Sequence, residues 1–201
     1  PVRGVMKEYT DELSFTQFEE ISMKYPDKTA IIYLGKRYSY RTLKELTDRF
    51  ASGLLKIGVN PYDKVLLYLY NTPQWIIANF AINKIGATVV PISPIYTSYE
   101  VEYIVKDSGI ETVICMDTNF VYIKDLMERT PIKRIIVTSF ADMLPFWKRS
   151  LGYLLDKIPT GKIKRGDNVY QFRRVIEETS PSLPKIEVNP WKDLAYIMYT
   201  G

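Results

Sequence analysis

Apolar positions along this chain alternate between helical and strand spacing. Phe15, Phe18 and Ile21 fall on one face of a helix over 14–25, and Ser14-Phe15-Thr16-Gln17 has the form of a capping box at its start. Residues 29–34 are apolar and largely β-branched, Gly35-Lys36 predicts a tight reversal, and 37–40 alternate, so the stretch reads as a hairpin. Leu43, Leu46, Phe50, Leu54 and Ile57 then mark one face of a helix over 41–57, stopped by Gly58.

From there the pattern changes. Residues 64–70 form a nearly continuous apolar run, the mark of a strand covered on both faces in a parallel sheet. Pro73 opens a helix that continues to Ile85, Gly86 stops it, and 88–92 is the next strand. The rhythm repeats with a helix over 98–107, a strand over 112–116, a helix over 119–129 and a strand over 134–138. Such alternation predicts an α/β fold: a doubly wound, mainly parallel sheet flanked by helices and joined by right-handed crossovers. The predicted organisation is a helical arm over 1–28, the α/β core over 29–140, an excursion over 141–190 and a last strand over 191–201. That strand ends abruptly at Thr200-Gly201, so the chain reads as cut there, whereas Pro1 suits a natural start after removal of an initiator Met.

The excursion is broken by Pro145, Pro159, Pro181, Pro184 and Pro190, with short helices expected over 147–158 and 169–178. Between 145 and 174 it holds eight Lys and Arg against two Asp, a balance of +6 in a chain whose formal net charge is +4. Trp147, Leu151, Leu154, Leu155 and Ile158 form one apolar stripe, with Lys148 and Arg149 beside its Trp end. Two readings of this stripe stand: a helix lying on an anionic membrane surface, and a helix packed on its own domain with a solvated basic face. Liposome partitioning of Trp147→Ala and Leu154→Asp variants separates them. Nucleic acid is not expected, because the basic residues form one segment unaccompanied by any nucleic-acid-binding motif.

Composition removes several chemistries. The 201 residues include no His, which excludes Ser-His-Asp triads, His bases and His-ligated zinc, and the lone Cys115 excludes an intrachain disulfide. Cys115 lies in the apolar run Val113-Ile114-Cys115-Met116, so a buried thiol in a reducing, cytoplasmic setting is expected. The uncharged stretch 65–83 is broken by Asn71-Thr72-Pro73, and Gln74, Asn79 and Asn83 would each need a partner in lipid. The stretch therefore reads as strand, turn and helix. The first residues have no apolar core of signal-peptide length. No residue pattern marks a metal site, and adjacent acids such as Glu19-Glu20 point apart on a helix.

Three stretches carry a resemblance when taken in order. Tyr38-Ser39-Tyr40-Arg41-Thr42-Leu43, then Asn83 to Pro94, then Tyr196-Ile197-Met198-Tyr199-Thr200-Gly201 are similar to the first three core motifs of the adenylate-forming enzymes, the superfamily of acyl-CoA synthetases, luciferases and peptide-synthetase adenylation domains. Asn71-Thr72-Pro73-Gln74-Trp75 resembles the helix start that the same enzymes place between them. The resemblance runs from about Thr29 to the end and is nearest to the long-chain fatty acid type. It implies that the chain is part of the large N-terminal domain, with the C-terminal domain absent. It further implies that Thr200 and Gly201 begin the loop that cradles ATP phosphates, although Gly201 stands where Ser is commoner.

By the same resemblance the substrates would be a fatty acid, ATP and CoA, with Mg²⁺ on the phosphates and a homodimer as the plausible assembly. The rest of the loop, the ribose-holding acid and a late lysine lie downstream in the family, so no catalytic residue is assigned and the 201-residue chain is expected to be inactive. The rival reading is a non-catalytic α/β module that binds a nucleotide or a protein.

Overall fold

The computed structural model describes residues 13–144, 159–161, 163 and 166–200. The helix predicted over 147–158 lies outside them. In chain order the elements are α1 (Ser14–Lys24), β1 (Thr29–Tyr33), β2 (Lys36–Ser39), α2 (Tyr40–Lys56), β3 (Lys64–Tyr68), α3 (Pro73–Lys84), β4 (Thr88–Pro91), α4 (Ser98–Ser108), β5 (Thr112–Met116), α5 (Phe120–Leu126), β6 (Arg134–Thr138), β7 (Val169–Gln171) and α6 (Phe172–Glu177). β1 and β2 form an antiparallel hairpin, and the other strands form a parallel five-stranded sheet in the order β4-β3-β5-β6-β7. This is the doubly wound, helix-flanked architecture expected.

Alternation along the buried strands builds two cores. Val65, Leu67, Ile114, Met116 and Ile136 face α1, α2, α3 and α6, where Phe50 stacks on Phe172 at 4.1 Å between ring centres. Leu66, Tyr68, Val113, Cys115 and Ile135 face α4 and α5. Both faces of the sheet are covered, which is why β3 from Val65 and β5 from Val113 are apolar without interruption.

Four local expectations are corrected. The hairpin turn centres on Leu34 and Gly35, with φ of 46° and 76°, because a two-residue turn between twisted strands needs positive φ at both positions; Lys36 already belongs to β2. The cap of α1 falls on Leu13 with no side-chain bond, whereas the capping box forms at α4, where Thr97 and Glu100 bond each other's backbone N–H. Residues 169–171 are a strand, not the first turn of a helix: Ile136 pairs with Tyr170, so the sheet gains a fifth strand before α6 begins. Residues 193–199 do not form a full strand but make one parallel bridge, Val89 with Tyr196.

Candidate functional site

The strand order reverses direction once. The chain passes from β3 to β4 on one side, then returns across β3 to β5. In an open parallel sheet the loops part at such a switch point, leaving a crevice outside the carboxyl ends of the strands where ligands bind. Here the β3 and β5 ends open onto a cleft of about 710 Å³, lined in part by Tyr68, Tyr70, Tyr96, Asn119, Tyr122 and Phe140.

Hydrogen bonds fix its walls. The Tyr68 hydroxyl donates to the Tyr96 carbonyl, Asn119 Nδ2 donates to the Pro94 carbonyl at 3.2 Å, and the Tyr33 hydroxyl donates to the Phe140 carbonyl at 3.3 Å. Burial pushes the Tyr68 phenol above its ordinary pKa, so it stays protonated as a donor. The described lining carries no charged side chain. Such a cleft suits apolar or flat neutral groups.

Beside it, at the ends of β5 and β6, two carboxylates are held by neutral donors. Asp142 accepts from Thr138 Oγ1 at 2.9 Å, Ser139 N at 2.9 Å and Ser139 Oγ at 3.0 Å. Gln74, in the first turn of α3, donates to Thr138 Oγ1 at 3.1 Å and to the Ser139 carbonyl at 2.8 Å. Asp117 is pushed above the usual carboxylate range by burial, opposed by N–H groups of Gly161 and Thr118, with the Asp142 charge adding to the rise. These bonds tie α3 to the sheet and shape its carboxyl edge. Among the described residues there is no group of three His, Cys, Asp or Glu side chains able to hold a metal ion.

The last described segment reaches the same edge from the other end of the sheet. Val89 N donates to the Ala195 carbonyl at 2.9 Å and Ile197 N donates to the Val89 carbonyl at 3.0 Å. The pairing is parallel, so residues 198–200 emerge on the carboxyl side. The outer side of this segment is bare, with Trp191 72%, Leu194 61% and Met198 73% exposed. Tyr196 and Tyr199 point to opposite faces: Tyr196 reaches α3, whereas Tyr199 donates to Asp107 on α4 at 2.5 Å and sets its ring edge against Tyr103.

Thr200, the first residue assigned from sequence to the phosphate loop, is exposed at this edge. Its neighbour Gly201 lies outside the described residues. So do Trp147, Lys148, Arg149, Leu151 and Leu154 of the candidate membrane-surface stripe. No described helix is long and apolar enough to cross a membrane.

Fold and edge together define a doubly wound α/β module with a crevice at its switch point. The chain belongs to the AMP-binding enzymes, whose family pattern matches residues 18–201. It is 30% identical over 182 residues to a long-chain-fatty-acid–CoA ligase of Bacillus subtilis (strain 168), a match covering 89% of this chain and 32% of that protein. A long-chain-fatty-acid–CoA ligase of Escherichia coli O157:H7 is 30% identical over 193 residues, covering 92% of this chain and 33% of that protein. Among solved structures, a long-chain-fatty-acid-CoA ligase from Archaeoglobus fulgidus superposes with a TM-score of 0.76 at 24% identity, covering 96% of this chain and 35% of the other. Coronafacic acid ligase from Pectobacterium brasiliense superposes with a TM-score of 0.75 at 20% identity, over 92% of this chain and 33% of the other. The chain thus spans about a third of the length of the curated relatives it matches. Its sheet corresponds to part of the N-terminal domain of adenylate-forming enzymes.

Proposed function

We propose that this chain forms the first part of an acyl-CoA synthetase that activates a long-chain fatty acid. The observation that carries the reading is the emergence of Thr200 on the carboxyl side of a parallel sheet, in a chain matched along 92% of its length by a long-chain-fatty-acid–CoA ligase. A carboxylate is a poor acyl donor until one of its oxygens becomes part of a good leaving group. Attack of the carboxylate on the α-phosphorus of ATP releases pyrophosphate and leaves an acyl-adenylate; the CoA thiol then displaces AMP.

In this scheme the described residues bind and position. Thr200 offers a hydroxyl and a backbone N–H to a phosphate oxygen, and the residue that follows it in sequence is a glycine, a type with no side chain to keep an anion from the backbone. Mg²⁺ bound with the nucleotide would screen the phosphates. The 201-residue chain alone is expected to be inactive.

Carboxylate-dependent ATP–pyrophosphate exchange tests this in the protein encoded by the reading frame that contains the chain. Exchange stimulated by long-chain more than short-chain or aryl acids supports the reading, as does a higher KM for ATP in Thr200→Val. Absence of exchange with every carboxylate would replace it with the binding-module reading. Pyrophosphate release by the 201-residue chain alone would refute the expected inactivity.

A further inference from the structure

Helix α3 is buried nearly all round, yet it carries two asparagines, Asn79 and Asn83, each only 5% exposed. Burying a primary amide costs free energy unless its polar atoms are bonded. Four residues apart, the two lie one above the other on a single helix face. Between them sits one phenol from 113 and 117 residues downstream: the Tyr196 hydroxyl accepts from Asn83 Nδ2 at 3.1 Å and donates to Asn79 Oδ1 at 2.9 Å. The hydroxyl is used once as acceptor and once as donor.

We propose that Tyr196 is a positioning residue for the phosphate loop, its hydroxyl fixing through Asn79 and Asn83 the register in which the segment leading to Thr200 lies along β4. The inference rests on the proposed role of Thr200. Backbone pairing alone specifies this register weakly, because residues 194–197 form one bridge instead of a ladder. The remaining direct tie to β4, Thr88 Oγ1 to the Leu194 carbonyl at 2.9 Å, accepts any residue's carbonyl. Two side chains distinguish registers, Tyr199 through Asp107 on α4 and Tyr196 through the two amides, and of these Tyr196 is the one that reaches α3. A slip of one residue would present Ala195 or Ile197 to the two amides, and a slip of two would present Leu194 or Met198; none has a side-chain donor for Asn79 Oδ1.

Each residue of slip moves the chain by about 3.3 Å along the strand direction. That displacement exceeds the tolerance of an N–H···O bond, so a loop out of register would lose its phosphate contacts. Two asparagines thus occupy a core helix where apolar residues would bury more simply, and in return they specify one arrangement of the chain at the sheet's carboxyl edge.

The test uses Tyr196→Phe and Asn79→Ala in the complete protein, with two readouts. In ATP–pyrophosphate exchange each variant is expected to raise KM for ATP roughly tenfold, with KM for the carboxylate unchanged. By hydrogen exchange, peptides spanning 194–198 are expected to exchange faster while those of β3 stay protected. A purely structural role would reduce the active fraction and lower kcat with KM for ATP unchanged, and that result overturns the proposal. If the wild-type protein shows no exchange activity, the acyl-CoA synthetase reading fails by itself. The hydrogen-exchange arm still decides the register, because unaltered protection at 194–198 in Tyr196→Phe rejects it.

Discussion

The ammonium of Lys84, at the end of α3, lies 2.7 Å from the Asp48 carboxylate on α2. The same ammonium bonds Glu19 on α1, so one cation joins the three helices that cover one face of the sheet. Burial disfavours the charged amine, but the bonds to Asp48 and Glu19 outweigh it and hold the Lys84 pKa above its ordinary value.

Lys84→Met removes the shared cation and leaves the two carboxylates with Lys44, which lies 2.6 Å from Asp48 and 3.8 Å from Glu19. The expected loss of stability is about 1–3 kcal/mol at neutral pH. A lysine pKa raised by folding adds stability that is complete below the unfolded value of about 10.4 and vanishes as pH rises through the folded value. The difference in urea midpoint between wild type and variant should therefore be constant near neutrality and shrink above about pH 10. A difference that grows with alkalinity would contradict the assignment.

Tyr38 supplies a second alkaline transition. Its phenol is pushed up to about 12 by burial, with Tyr33 adding to the shift, and its hydroxyl donates to the Met143 carbonyl. The folded state holds this proton more tightly than the unfolded chain, whose tyrosines titrate near pH 10. Stability is thus present below about pH 10 and declines as pH approaches 12, by about 2–3 kcal/mol in all. Tyr38→Phe is expected to flatten that decline. Its cost at neutral pH is about 1 kcal/mol, because Lys36 still donates to Met143 at 3.2 Å. Chemical denaturation from about pH 8 to 12 reads both effects; an equally steep alkaline decline in the variant would remove Tyr38 as its source.

The strands most legible in the sequence were those buried on both faces. Residues 64–68, 112–116 and 134–138 have apolar side chains for both cores, and no alternative element accommodates them as well. β7 was illegible because Val169-Tyr170-Gln171 is too short to show a period, and its strand character comes from pairing with β6. The same limit applied at α1, where Ser14 and Gln17 have capping-box spacing but the chain enters the helix one residue earlier, at Leu13. At the carboxyl edge the order of motifs pointed to Thr200, while the aromatic cleft was not anticipated. Its walls come from the ends of several elements and are assembled only by the switch in strand order. The need for partners at Gln74, Asn79 and Asn83 was visible. Their identities, Thr138 and Tyr196, lie 64 to 117 residues away and emerge only from the fold.

A final prediction concerns Gly53, within α2. On helix propensity alone, Gly53→Ala should stabilise the protein by about 1 kcal/mol. The packing opposes this, because a Cβ at that position would stand 2.4 Å from Val175 Cγ1 and 2.9 Å from the Val175 carbonyl oxygen. The Val175 side chain can rotate, but its backbone oxygen cannot leave without moving α6, and α6 is held against α2 by the stacked rings of Phe50 and Phe172. Overpacking of this kind costs about 1–3 kcal/mol and exceeds the propensity gain. Gly53→Ala is therefore expected to lower the thermal midpoint by several degrees, and Gly53→Val to lower it further. A rise in the midpoint for Gly53→Ala would show that the contact between α2 and α6 yields more readily than the buried ring stack implies.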